Sequence, residues 1–502
     1  MSDERRDHRG HQRGRARTAG TARRTGAPPA QRSRATDPAR TTAFDVLRQV
    51  ADSDAYANLV LPPLLRERRI AGRDAAFATE LAYGTLRLRG RYDAVLAYAV
   101  DRGLDRVDPA VLDVLRLGAH QLLGMRVPPH AAVSETVALA RGRVGAGPAQ
   151  FVNAVLRRVA DASLDEWLAR LSEAAGDDET ARLAVTQSHP AWVVRALRES
   201  LVGNGRQVEE LERLLEADNV APQVTLVARP GLGTLEELHA AFPDGEPGVL
   251  APTALRLAGG DPGAVAAVRE GRAGVQDEGS QLVALALAAA PLDGPDRRWL
   301  DLAAGPGGKA ALLAAEAARR GARLVANEVQ PHRARLVAQS LRAIPADAVE
   351  EVRTGDSRLV GSSEPGAYDR VLLDAPCTGL GALRRRPEAR WRRTPADLPT
   401  LTALQRELLA SALAAVRPGG LVAYVTCSPH LAETRLVVAD ALKAAANAGT
   451  RATLVDARPV IDALAPRSGL DLGEGPQVQL WPHVHGTDAM HLTLLRRERA
   501  PL

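Results

Sequence analysis

Apolar residues recur at helical spacing through the first third of the chain. Phe44, Leu47 and Val50 form one stripe, and Leu59, Leu64, Phe77, Leu81, Leu86 and Leu96 carry the rhythm on. Gly72, Gly103 and the pair Pro128 and Pro129 punctuate it. No alternation of the strand type stands out before about residue 165, so the pattern predicts an all-α domain over residues 41–170. A less regular stretch, 171–270, follows. Residues 224–227 predict a strand there, between Gly- and Pro-containing loops, and a small connecting subdomain is expected. From residue 271 to 502 the rhythm changes again. A helix is expected near 280–290, and short apolar runs at 299–303, 324–327, 371–373 and 421–425 alternate with helical stretches. That alternation predicts an α/β, Rossmann-like domain with a mostly parallel sheet. The chain is therefore read as multidomain, and no internal repeat is seen.

Composition adds three constraints. The 502 residues are too many for one ordinary domain, and 45% of them are hydrophobic, enough to fill several cores. No run of eighteen apolar residues occurs, and the N-terminus is Arg-rich without an apolar segment. Neither a membrane span nor a secretory signal is expected. The net charge of +5 conceals an asymmetry: residues 1–40 hold eleven arginines against four acids, which leaves the rest of the chain slightly acidic. That Arg-rich tail has almost no large apolar residue and is expected to be disordered.

The chain has only two cysteines, Cys377 and Cys427. They cannot form a disulfide framework, and without clustered histidines they make a poor metal site, so no metal is expected and a reducing cytoplasmic setting fits.

Asp301-Leu-Ala-Ala-Gly-Pro-Gly-Gly-Lys309 joins a strand-like run to a helix-like one. Glycines at a strand-to-helix turn let the backbone approach a ligand, and the helix start offers free N–H groups. The loop is not a phosphate loop, because Ala303 and Ala310 stand where Gly and Ser or Thr are required. Nor does Gly305-Pro306-Gly307-Gly308 keep the spacing of a dinucleotide loop. Glu328 closes the next strand-like run, where a carboxylate commonly meets ribose hydroxyls. Asp356 can reach an adenine edge from its turn or serve simply as a turn residue. Asp374 closes the run 371–373, and strand carboxyl ends are where open α/β sheets bind ligands.

Both cysteines sit just beyond strand-like runs, in Asp374-Ala-Pro-Cys-Thr-Gly379 and Tyr424-Val-Thr-Cys-Ser-Pro429. Together with the Gly-Gly-Lys loop, this pair resembles the Sun/NSUN-type RNA 5-methylcytosine methyltransferases. The segments 77–84, 132–135 and 151–157 look like the helical RNA-binding domain related to the NusB antitermination factor. The resemblance spans roughly residues 40–500. It implies that S-adenosylmethionine is the cofactor, held by Ala303, Ala304, Gly305, Pro306, Gly307, Gly308, Lys309, Glu328, Asp356 and Asp374. It further implies Cys427 as the nucleophile toward carbon 6 of a cytosine and Cys377 as the residue assisting release; the same chemistry needs a group at the cytosine's nitrogen edge, a job suited to Asp374. The partner implied is RNA, and small-subunit (16S) ribosomal RNA in the bacterial members. The match departs at the loop, which has Ala-Ala-Gly-Pro where Cys-Ala-Ala-Pro is frequent, and at Thr434 and Ala489, where Asn and Gly are usual.

Arg384, Arg385, Arg386 and Arg390 surround Trp391 directly after the Cys377 turn. A basic cluster with an aromatic suits phosphate contact and stacking on an unpaired base, so these residues are expected to meet RNA. A monomer is expected. Two other readings stay open at this point: a transfer-RNA substrate for the same chemistry, and an RNA-binding or antitermination factor whose α/β domain is inactive.

Overall fold

A computed structural model describes residues 37–53 and 55–499. Residues 1–36 of the expected tail lie outside the described residues. Residues 37–40 do not belong to a tail but open the first helix. Pro38 takes its first position, where a missing N–H costs nothing, and Asp37 Oδ1 accepts from the Ala39 amide at 2.8 Å.

Helices Pro38–Ser53, Ala57–Glu67, Gly72–Arg87, Arg89–Ala99, Pro109–Leu123, Pro129–Arg143 and Ala146–Ala160 bury one shared core. Phe44, Leu47, Leu81, Leu96, Leu115 and Leu156 lie at its centre. Burying each such side chain is worth about 1.5–3 kcal/mol, which is what holds short helices in place. The helical part continues past residue 170, through Leu164–Ala175, Glu179–Thr186, Ala191–Gly203 and Leu211–Asp218. Turns at Gly176, Pro190 and Gly205 interrupt this stretch, and Glu179–Thr186 and Leu211–Asp218, at eight residues each, are too short to show a period. Their core joins Leu183, Leu197, Leu201 and Leu214 to Leu380, Leu383 and Trp481 of the C-terminal half.

Strands β1 (Val224–Ala228), β2 (Glu246–Pro247), β3 (Ala254–Leu257) and β4 (Ala273–Val275) form a small antiparallel sheet in the order β2-β3-β1-β4. The large sheet follows. It comprises β5 (Arg298–Asp301), β6 (Arg323–Glu328), β7 (Val349–Thr354), β8 (Tyr368–Asp374), β9 (Val416–Thr426), β10 (Ala452–Val455), β11 (Val478–Gln479) and β12 (His491–Arg497). Its order is β10-β12-β9-β8-β5-β6-β7, with β11 pairing β12. Strands β5 to β9 are parallel, and β12 runs antiparallel against β9. This is a Rossmann-like α/β fold. Helices Glu278–Ala289 and Gly308–Arg319 cover one face, and Leu398–Ala415 and Arg435–Asn447 the other. The chain passes from β5 outward to β7 and returns to β8 on the other side of β5. A crevice opens at such a switch point, beyond the strands' carboxyl ends.

Candidate active site

Asp301, Glu328, Asp374 and Thr426 end β5, β6, β8 and β9, so four adjacent parallel strands deliver their following turns to one edge. In the β8–β9 ladder Asp374 is opposite Val425. The turns that carry Cys377 and Cys427 therefore leave the sheet at the same level. They open onto a cavity of about 1020 Å³, which is also lined by Ala303 to Gly305, Lys309, Glu328 and Asp356.

The glycine loop is built by close packing. Gly307 has φ +113°, and a Cβ there would fall 2.7 Å from the Ser340 side chain. A Cβ at Gly305 would lie 2.2 Å from Glu328 Oε2. The Gly305 amide donates to that oxygen at 3.0 Å, and the Gln330 amide donates to Oε1 at 2.9 Å. Glu328 thus fixes the loop to the end of β6. Asp356 lines the same cavity, where Arg358 grips both of its oxygens.

Lys309 reaches from the helix start across the cavity and donates to Asp374 Oδ2 at 2.8 Å. Burial opposes its charge, but Asp374, together with Cys427 and Asp301, outweighs that and raises the ammonium's pKa above the ordinary value. Asp301 is a residue the sequence reading passed over, although it heads the loop motif. It is 1% exposed, and among the described residues no side chain bonds its carboxylate, which has only the Ala303 backbone N–H and the Lys309 charge to favour ionisation. Burial, then the charge of Asp374, push its pKa up to about 7. A carboxyl without a side-chain partner facing this cavity is the complement of a cationic ligand.

The two sulfurs lie 3.5 Å apart. The hydrogen bond from Cys377 lowers the Cys427 pKa, with further help from the Arg386 and Lys309 charges against burial and Asp374. Cys377 moves the opposite way: the bond to Cys427, burial and nearby negative charge all raise it. Of the two, Cys427 is therefore the more acidic thiol. The Gly381 amide donates to the Cys427 carbonyl at 2.9 Å, and the Ala489 amide to the Gly381 carbonyl at 2.8 Å, which stitches both turns to the last strand's approach.

The Arg–Trp segment corrects the expectation of an RNA-facing cluster. Arg390 is wholly buried; its guanidinium donates to the carbonyls of Arg87, Ser188 and Asp218 and to Asn219 Oδ1. Arg384 is 6% exposed and bonds the Gly486 carbonyl and Asp488. Arg385 pairs with Asp277 and Asp488. Trp391 packs on Gly90, with Arg89 5.9 Å from its ring centroid. Arg390 and Trp391 thus join the helical and α/β parts, while the Arg384 and Arg385 side chains tie the segment after Cys377 to Asp277 and Asp488 within the C-terminal half. Arg386 differs: it is exposed, lines the cavity and stacks over Tyr56 at 5.0 Å. Tyr56, which no sequence signal marked, brings the helical domain to the cavity wall. Among the described residues no cluster of metal-ligating side chains occurs, and no helix is long and apolar enough to cross a membrane.

Comparison with known proteins agrees with this architecture. Residues 286–496 match the family model described as 16S rRNA methyltransferase RsmB/F, and residues 37–161 match the NusB family. A Mycobacterium tuberculosis protein named "Putative methyltransferase" is 53% identical over 466 residues, covering 93% of this chain and 98% of that protein. The "Ribosomal RNA small subunit methyltransferase B" of Salmonella paratyphi B is 33% identical over 408 residues, covering 79% of this chain and 88% of the relative. The crystal structure of PH0851 superposes with a TM-score of 0.74 at 20% identity, over 92% of this chain and 99% of that one. With a NusB-type helical domain joined to a methyltransferase sheet whose switch point holds the paired thiols, the chain belongs to the RsmB/F family of ribosomal RNA small subunit methyltransferases.

Proposed function

We propose that this protein methylates carbon 5 of a cytosine in RNA, with small-subunit ribosomal RNA as substrate, through a covalent bond between Cys427 and carbon 6. The observation that carries this reading is the Cys427 sulfur on the same cavity as the Lys309–Asp374 pair, with Cys377 3.5 Å away. Carbon 5 of cytosine is a poor nucleophile. Addition of a thiolate to carbon 6 makes it enamine-like. Cys427, with its lowered pKa, is suited to that attack. Asp374, fixed by Lys309, is suited to the cytosine nitrogen edge, where a hydrogen bond draws electron density from the ring as the adduct forms. After methylation the carbon 5 proton leaves to a base, the carbon 6–sulfur bond breaks, and its electron pair returns to Cys427. The Cys377 thiol then donates a hydrogen bond to the departing thiolate.

S-adenosylmethionine would supply the electrophilic methyl group. The residues present fit it: Asp301 offers a carboxyl without a side-chain partner to a cationic group, the Gly305–Gly308 loop lets backbone approach closely, and Glu328 and Asp356 stand at the ends of β6 and β7 for ribose and adenine. Arg386, exposed beside Cys427, suits a phosphate of the target strand. The target base must leave any stack to enter such a cavity.

The test replaces Cys427 by Ala and follows transfer of labelled methyl groups into ribosomal and transfer RNA. Cofactor binding should persist while incorporation is lost, and bisulfite mapping of wild-type product should place the methyl on a cytosine of the small-subunit RNA. Normal turnover by the variant would reject the covalent scheme.

A further inference from the structure

Glu433 lies six residues beyond Cys427, and its side chain is wholly buried. A buried carboxylate is tolerable only when its oxygens are bonded. Here Oε1 accepts from the Thr378 amide at 2.7 Å and from Gln405 Nε2 at 3.2 Å. Oε2 accepts from the Thr378 hydroxyl at 2.5 Å and from the Ser428 hydroxyl at 2.7 Å. Thr378 follows Cys377, and Ser428 follows Cys427. Gln405 Nε2 also donates to the carbonyl of Pro376, the residue before Cys377, at 2.7 Å. One carboxylate therefore grips the residue after each cysteine and, through Gln405, the residue before one of them. Four charge-assisted bonds on one group hold the two turns in a fixed relation to each other.

The surroundings of the two thiols are electrostatically unequal. Cys427 faces Lys309 from the loop helix, Asp374 from β8 and Arg386 from the segment after Cys377. Cys377 faces Cys427, Glu433 and the Tyr424 hydroxyl of β9, with no cation among its main influences. His430, on the turn between Cys427 and Glu433, is held toward its neutral form by burial.

We propose that Glu433 is a positioning residue for the reaction: its carboxylate clasps the turns bearing both thiols and assigns Cys427 as nucleophile and Cys377 as hydrogen donor. The assignment of roles rests on the Cys427 chemistry proposed above. The clasp itself rests on hydrogen bonds alone. Loss of the Glu433 charge relieves Cys377 of a negative neighbour while a glutamine keeps the side chain's shape. The thiol proton is then shared more evenly, and the Cys427 thiolate becomes scarcer.

The experiment measures iodoacetamide alkylation of each cysteine against pH, resolved by peptide mass spectrometry, in the full-length protein without RNA. In the wild type, Cys427 should react first and Cys377 only at clearly higher pH. In Glu433→Gln the Cys377 profile should move to lower pH and the Cys427 profile to higher pH, so that the two converge. RNA methylation turnover should fall by about 100-fold, the scale expected when reacting groups shift by about 1 Å, with KM for RNA nearly unchanged. Unchanged alkylation profiles in the variant would overturn the proposal. So would wild-type protein in which Cys377 reacts as readily as Cys427, a result that requires no variant to fold. Because alkylation needs no RNA, these outcomes are independent of whether cytosine is the substrate, which the Cys427→Ala methylation assay decides.

Discussion

Replacing Asp301 by Asn removes the cavity carboxyl that, among the described residues, has no side-chain hydrogen-bond partner, and the structure gives the sign and size of the effect. Asp301 titrates near pH 7 in the folded chain, against an ordinary value of 3.8. Below about pH 3.8 it is neutral in both folded and unfolded chains and favours neither. As pH rises, the unfolded chain ionises first, so the native state loses stability progressively until about pH 7. The full difference, at about 1.4 kcal/mol per pH unit, is about 4 kcal/mol. The amide of Asn carries its own cost of burial, but that cost does not depend on pH. The variant should therefore gain about 4 kcal/mol on the wild type between about pH 4 and pH 8. Comparing the two proteins at each pH cancels the other titrating groups they share. Hydrogen exchange in peptides spanning β5 reads the opening of this strand directly, and urea midpoints provide a second measure. A cationic cofactor in the cavity should act oppositely, stabilising wild type at pH 8 more than the variant. Parallel stability curves for the two proteins across this pH range would refute the reasoning.

Two further predictions separate the arginines that the sequence grouped together. Arg390→Met should destabilise the protein by about 3–5 kcal/mol, because methionine leaves the carbonyls of Arg87, Ser188 and Asp218 without their donor and Asp218 without its cation. Thermal melts check this; a stable variant that only lost RNA affinity would restore the RNA-contact reading for that residue. Arg386→Gln should leave the melting temperature unchanged and weaken RNA binding. The slope of log affinity against log salt should shrink by about 1, as one phosphate contact is lost. An unaltered slope would remove Arg386 from the RNA site.

Much of this site was legible in order along the chain because parallel α/β sheets obey a simple rule: residues just past strand ends meet at one edge. Asp301 to Lys309, Glu328, Asp374, Cys377 and Cys427 all follow apolar runs, and the family resemblance gave several of them expected roles. The helical stripes through Phe44 and Leu81 were readable for the same reason, since one buried face repeats with the period of the helix. The eight-residue helices Glu179–Thr186 and Leu211–Asp218 were not, because about two turns of helix give too few repeats for a period.

Pairing across long sequence separations was beyond pattern. A run of arginines reads as a basic patch, yet Arg390 is enclosed by carbonyls from residues about 170 to 300 positions away. Sequence fixes that a charge exists; only the surrounding chain fixes whether water, RNA or protein neutralises it. The same holds for Tyr56, which reaches the cavity from the helical domain, and for Glu433, an ordinary acid in sequence that becomes the bonded centre of the two cysteine-bearing turns. Local periodicity is set by backbone geometry and survives in one dimension. Desolvation and hydrogen-bond satisfaction depend on which distant groups arrive at the same place, and only the folded chain decides that.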